Sequence, residues 1–176
     1  MRSRPRIAVA VVVLLAVLGS GQAVAAPRAG STSLASLESR VLVDLNRIRA
    51  AHGLGPLRLN PSLCAAAAQH ANEMLKDGYF SHDSADGSAF WQRIALFYPD
   101  AHYAYWTVGE NLLWTGASLS AGRAMRMWMA SPAHRRNILT ARWREVGIAA
   151  AYEQDAPGMY AGYNVTVVAT DFGARH

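Results

Sequence analysis

The sequence predicts an α+β fold, and three observations predict it. Apolar residues recur at spacings of three and four in three stretches between Leu34 and Ala130, each bracketed by helix start and stop signals. After Leu139 the pattern changes to short β-rich runs, Val146 to Tyr152 and Tyr160 to Ala169. They flank the polar turn Glu153-Gln154-Asp155-Ala156-Pro157-Gly158, which reads as a hairpin. At 176 residues and 52% hydrophobic content, the chain supports one well-buried core and is too short to divide into two.

Part of that hydrophobicity belongs to the N-terminus. Arg2, Arg4 and Arg6 precede the apolar run Ile7 to Leu18, and Ala23-Val24-Ala25 follows as a small-residue cleavage site. Residues 1–25 therefore read as a secretory signal peptide cleaved after Ala25, which predicts a secreted protein. An uncleaved anchor would need roughly 20 apolar residues, and Gly19-Ser20-Gly21-Gln22 interrupts this run, so no stable membrane anchor is expected. Discounting the three arginines lowers the formal net charge from +5 to +2. No Lys/Arg cluster with interleaved aromatics then remains to form a nucleic-acid surface. The single cysteine, Cys64, cannot make an intramolecular disulfide, and its alanine-rich surroundings predict a buried, inert thiol. The expected product is a soluble monomer.

Residues 26–33 are small and polar and form a flexible lead-in, leaving residues 34–176 as the domain. Leu34, Leu37, Val41, Leu45 and Ile48 then define an amphipathic helix over residues 34–51 that Gly53 stops. His52, at its end, reads as a solvated C-terminal residue. A connector runs to Leu59, and Asn60-Pro61, a polar cap followed by proline, opens a second helix ending near Asp77. Its inner stripe carries His70 among alanines, which favours a satisfied core histidine over a ligand. Residues 78–88 form a loop holding Tyr79-Phe80-Ser81-His82-Asp83, where His82 stands outside any apolar period. Ala89 to Phe97 reads as a short helix, and His102 as a surface residue. Tyr105 to Val108 is a short strand or extended segment, after which Gly109-Glu110-Asn111 turns the chain and brings the Glu110 carboxylate inward. Helical spacing returns from Leu119 to Ala130, with Trp128 in the core.

Proline at position 132 drives Ser131 out of that helix and frees its hydroxyl to cap the next one. With Pro132 at the first helical position, His134 falls in the first turn of a new short helix. The dipole there, with Arg135 and Arg136 nearby, disfavours imidazolium, so His134 is expected to stay neutral. A histidine so placed can accept a proton or bind a metal, and can equally just fill space.

Taken in order, these pieces resemble the CAP superfamily, the SCP-like extracellular group of cysteine-rich secretory proteins, antigen 5 and pathogenesis-related proteins. The resemblance runs over about residues 37–173. It rests on Leu45-Asn46 with Arg49, Gly53 to Leu57, Ser81-His82, Gly109-Glu110-Asn111, Trp128 with Ser131 to Leu139, Val146-Gly147 and Phe172-Gly173. It is closest to the compact, disulfide-free bacterial branch. It implies a three-layer α-β-α sandwich with a central antiparallel sheet and a cleft lined by two histidines and two acids. His82, Glu110 and His134 match three of those positions. The fourth is Ser131, where eukaryotic members carry glutamate, and Ala169-Thr170-Asp171 stands where the family often has glutamine.

Three functions from different classes follow. One is an extracellular, non-catalytic binding module for a lipid, sterol or cell-envelope ligand. A second is a hydrolase acting through His82, Glu110 and His134. No Gly-x-Ser-x-Gly elbow or His-Glu-x-x-His helix occurs, so its nucleophile would have to be Ser81 or Ser131 activated by histidine. The third is a metal-binding module in which His82 and His134 hold a divalent ion such as zinc, with water completing a weak, exchangeable site.

Overall fold

The computed structural model describes residues 33–176, so the expected signal peptide and all of the lead-in except Ser33 lie outside the described residues. Five helices and four strands follow in the order α1 (Leu34–Ala51), β1 (Arg58–Leu59), α2 (Pro61–Asp77), α3 (Phe90–Phe97), β2 (Trp106–Thr115), α4 (Ala121–Ala130), α5 (Pro132–Ile138), β3 (Glu145–Glu153) and β4 (Val165–Arg175).

Helix boundaries follow the capping chemistry. Ser33 Oγ accepts from Ser36 N–H at 3.2 Å and opens α1. Asn60 Oδ1 accepts from the N–H groups of Ser62 and Leu63 ahead of Pro61, and Gly78 closes α2 in the left-handed conformation at φ 70°. Ser120 Oγ accepts from Arg123 N–H, so α4 begins at Ala121 rather than Leu119. Ser131 behaves differently from the sequence reading. It separates α4 from α5 with extended backbone, as its proline neighbour requires, but its hydroxyl makes no capping hydrogen bond.

The sheet runs β1-β3-β4-β2. Its three long strands are antiparallel, and the short β1, hidden in the expected connector, pairs with β3 in parallel, so the sheet is mixed. The expected hairpin forms between β3 and β4, but its second strand starts five residues later, because Gly158–Tyr160 is a 3-10 turn, and it runs on to Arg175. A larger correction concerns residues 105–111. Instead of a short strand and a glycine turn, β2 is ten residues long and Gly109-Glu110-Asn111 lies in its middle.

Alternation along the strands builds the three layers of the α-β-α sandwich. Leu113, Val146, Ile148, Val168 and Phe172 pack under α1 and α4, with Ile138 of α5 and Trp143 in the same cluster. Leu112, Ala149, Ala151, Val167 and Ala169 pack under α2. Leu63 and Ala66 of α2 meet Ile94 of α3 and Tyr98 beside them. His70 is a satisfied core histidine, fully buried, with Nε2 donating to Ser81 O at 2.9 Å and Nδ1 3.2 Å from Glu73 Oε2. Cys64 departs from expectation in degree. It is half-buried rather than enclosed, and burial still pushes its thiol above the ordinary range, which keeps it protonated.

Candidate functional site

β2 is an edge strand, and both of its sides contribute to the site. Glu110 projects toward α2 and α3; Gly109 and Asn111 project toward α5. Two outward carbonyls of the edge are covered by side chains. Asn137 Nδ2 donates to Glu110 O at 2.8 Å, and Trp128 Nε1 donates to Leu112 O at 3.0 Å. Gly109 is needed for contact rather than for a turn. A Cβ there would stand 2.9 Å from Trp143 Cζ2 and 3.0 Å from Asn137 Oδ1. Asn111 Nδ2 donates to His134 O at 3.1 Å, which fixes α5 against β2.

His82, Glu110 and His134 line one cavity of about 390 Å³, with Phe90, Asn137 and Trp143 among its other walls. His82 arrives on the loop after α2, a loop held by the His70 contact with Ser81 O. Its Nδ1 donates to Glu110 Oε1 at 2.7 Å, while about half of the side chain stays exposed. The hydrogen bond to Glu110 raises the His82 pKa, overriding partial burial. His134 makes no hydrogen bond through its ring among the described residues. Burial, then the charge of His82, lowers its pKa. The expected neutrality of His134 therefore holds in direction, with a cause other than the helix dipole and its arginines.

Sequence reasoning missed two members of this cluster. Arg93 of α3, 2% exposed, binds Glu110 Oε2 and donates to His82 O at 3.1 Å and to Ser84 Oγ at 3.0 Å. Asp171 of β4 is fully buried and lies opposite Glu110 in the strand register. A charged residue between Gln92 and Ile94 of a mostly apolar helix, and an acid inside an apolar strand, were the available signals. Ser131 supplies no acid, and Ser81 Oγ accepts from Asp83 N–H rather than engaging an imidazole. No Ser, Thr or Cys side chain is hydrogen-bonded to His82 or His134 among the described residues.

This is a three-layer α-β-α domain with a histidine-glutamate cleft at the open edge of its sheet. The chain belongs to the CAP family: the model of the cysteine-rich secretory protein family matches residues 42–169. YkwD of Bacillus subtilis is 26% identical over 117 residues, which cover 66% of this chain and 43% of that relative, so the chain spans less than half of its length. Among solved structures, an outer surface protein of Borrelia burgdorferi superposes with a TM-score of 0.63 at 17% identity, over 78% of this chain and 92% of that one. An extracellular protein containing an SCP domain from Bacillus anthracis gives 0.60 at 22% identity, over 78% and 40%. These likenesses establish the fold. No helix among the described residues is long and apolar enough to cross a membrane.

Proposed function

We propose that this is an exported CAP domain whose cleft binds a polar cell-envelope ligand without turning it over. The observation that carries the reading is the pair of imidazoles on one cavity. His82 uses only Nδ1 and keeps about half of its side chain exposed, and His134 has no ring partner among the described residues, so both have hydrogen-bonding capacity left for a ligand. Asn137 and the two imidazoles give the cavity its polar side chains, the buried Glu110 lies behind His82, and Phe90 and Trp143 give apolar walls. The cavity is open rather than an enclosed apolar channel, so a sterol or acyl chain would bury little of its surface here, and the two imidazoles favour a component that can hydrogen-bond. Catalysis finds no support in a positioned nucleophile. The test is to titrate the purified domain with peptidoglycan fragments, lipid vesicles and sterol while following His82 and His134 by NMR. Binding of the fragments at these rings is expected, and turnover abolished by His134→Ala would overturn the reading.

A second reading rests on the same two rings. His82 Nε2 and the His134 imidazole fit a divalent ion such as zinc only as a two-histidine site completed by water. Glu110 is already engaged by His82 and Arg93, and among the described residues no group of three or more His, Cys, Asp or Glu could hold a metal ion. Such binding would be weak and lost on acidification, as the rings protonate. Calorimetric titration with Zn²⁺ decides: isotherms of the wild type, His82→Ala and His134→Ala that cannot be distinguished would rule it out.

A further inference from the structure

Beneath the cleft two buried acids, Glu110 and Asp171, share one buried cation, Arg93. Asp171 on β4 lies opposite Glu110 on β2 and Gly147 on β3, so the sheet sets the two acidic residues side by side on the face that meets α2 and α3. Directly opposed residues bring their Cβ atoms to about 5 Å. Asp171 is 0% exposed, and neither carboxyl oxygen receives a hydrogen bond. Among the described residues, the charged or titratable groups facing it are Glu110 from β2, Arg93 from α3 and the Cys64 thiol from α2, with His82 beyond Glu110. Arg93 uses Nη1 for His82 O and Ser84 and Nη2 for Glu110, and its buried Nε–H, although unpartnered, makes no hydrogen bond to Asp171. An ionised Asp171 would therefore be a second buried anion with no donor of its own, and such a group takes up a proton instead.

We propose that Asp171 is held as the neutral acid and donates its hydroxyl hydrogen to the Glu110 carboxylate, acting as a positioning residue for the cleft. As a carboxylate it finds no donor, whereas as an acid it finds an acceptor in Glu110. Burial first, then the Glu110 charge, push its pKa well above the ordinary carboxylate range. Glu110 is then fixed by three groups, His82 on one oxygen, Arg93 on the other and Asp171 from the neighbouring strand. Asp171 lies beneath the cleft without lining it, and the position three residues after Trp128 carries Ser131. The positioning role rests on the cleft reading above; the protonation state does not.

The protonation state is read first. At pH 7 the infrared difference between wild type and Asp171→Asn should show one protonated-carboxyl band lost in the variant. In wild-type protein with ¹³C-labelled aspartate, one Cγ resonance should keep its protonated position at that pH, so the answer does not depend on the variant folding. A folded-state pKa above the unfolded value of about 3.9 means that the folded state holds the extra proton. Wild-type stability should then fall as pH rises from about 4 toward that folded pKa. The melting temperature of Asp171→Asn should gain on the wild type across the same range. No lost band, fully ionised aspartates or a pH-independent difference would overturn the neutral acid. Positioning is read separately. At fixed pH, Asp171→Asn, which keeps a donor, should preserve the His82 ¹⁵Nδ1 shift, and Asp171→Leu should move it. An unmoved shift in Asp171→Leu would overturn the positioning role whatever ligand the cleft binds.

Discussion

His82 and His134 share a cavity, and their surroundings drive them in opposite directions. A proton-resolved NMR titration should place the His82 midpoint above, and that of His134 below, the ordinary imidazole value of about 6.5. The raised value of His82 means that its stabilising pair with Glu110 is fully present below about pH 6.5 and fades as pH rises through the folded pKa. For His134 the sign reverses, and stability is lost as pH falls below about 6.5, because the fold resists charging this ring. Glu110→Gln should bring the His82 midpoint down, since the hydrogen bond to Glu110 is the main cause of its shift; an unchanged midpoint would refute that cause. His82 was legible in the sequence because it stands outside any apolar period, and His134 because proline opens its helix. Glu110 was singled out through a glycine turn that is in fact the middle of β2, and the family resemblance joined the three. Arg93 and Asp171 were not legible. A lone arginine on an eight-residue helix reads as a solvated face, and β4 is buried on both sides, so its pattern has no alternation from which the direction of Asp171 could be read.

The elements were legible in unequal measure. Helices α1 and α2 appear at their expected bounds, because caps and stripes are local properties. β2 was foreshortened for a reason that lies outside it. Gly109 looks like a turn residue until Trp143 and Asn137, distant in sequence, are seen to need the space. Trp128→Phe should test how that edge is sealed. It keeps most of the packing and leaves Leu112 O without its donor, an expected loss of about 1–3 kcal/mol by denaturant unfolding. The seating of α2 on β3 is tighter still. A Cβ at Gly147 would lie 2.0 Å from the Leu63 carbonyl carbon and 2.3 Å from Cys64 N, both of them helix backbone. Gly147→Ala should therefore cost about 3 kcal/mol or more in the same measurement, or yield no folded protein.

Across the whole molecule, one buried cation ties the first helix to the last. Arg49 of α1, 0% exposed, donates through Nε to Gly55 O at 2.9 Å and through Nη1 to Ile138 O at 2.8 Å and Thr140 O at 3.0 Å. Arg49→Ala would orphan three carbonyls and open a cavity, so a loss of about 3 kcal/mol or more is expected in denaturant unfolding, and a loss under 1 kcal/mol would show that water replaces the guanidinium. The sheet order has a consequence of another kind. β4 follows every other element along the chain, yet it is the strand with which both β2 and β3 pair over their length. A ribosome that has released residues up to Asn164 has delivered every helix and no long strand pair. The layers cannot close until β4 arrives, so the domain's folding is tied to the last of its strands to emerge.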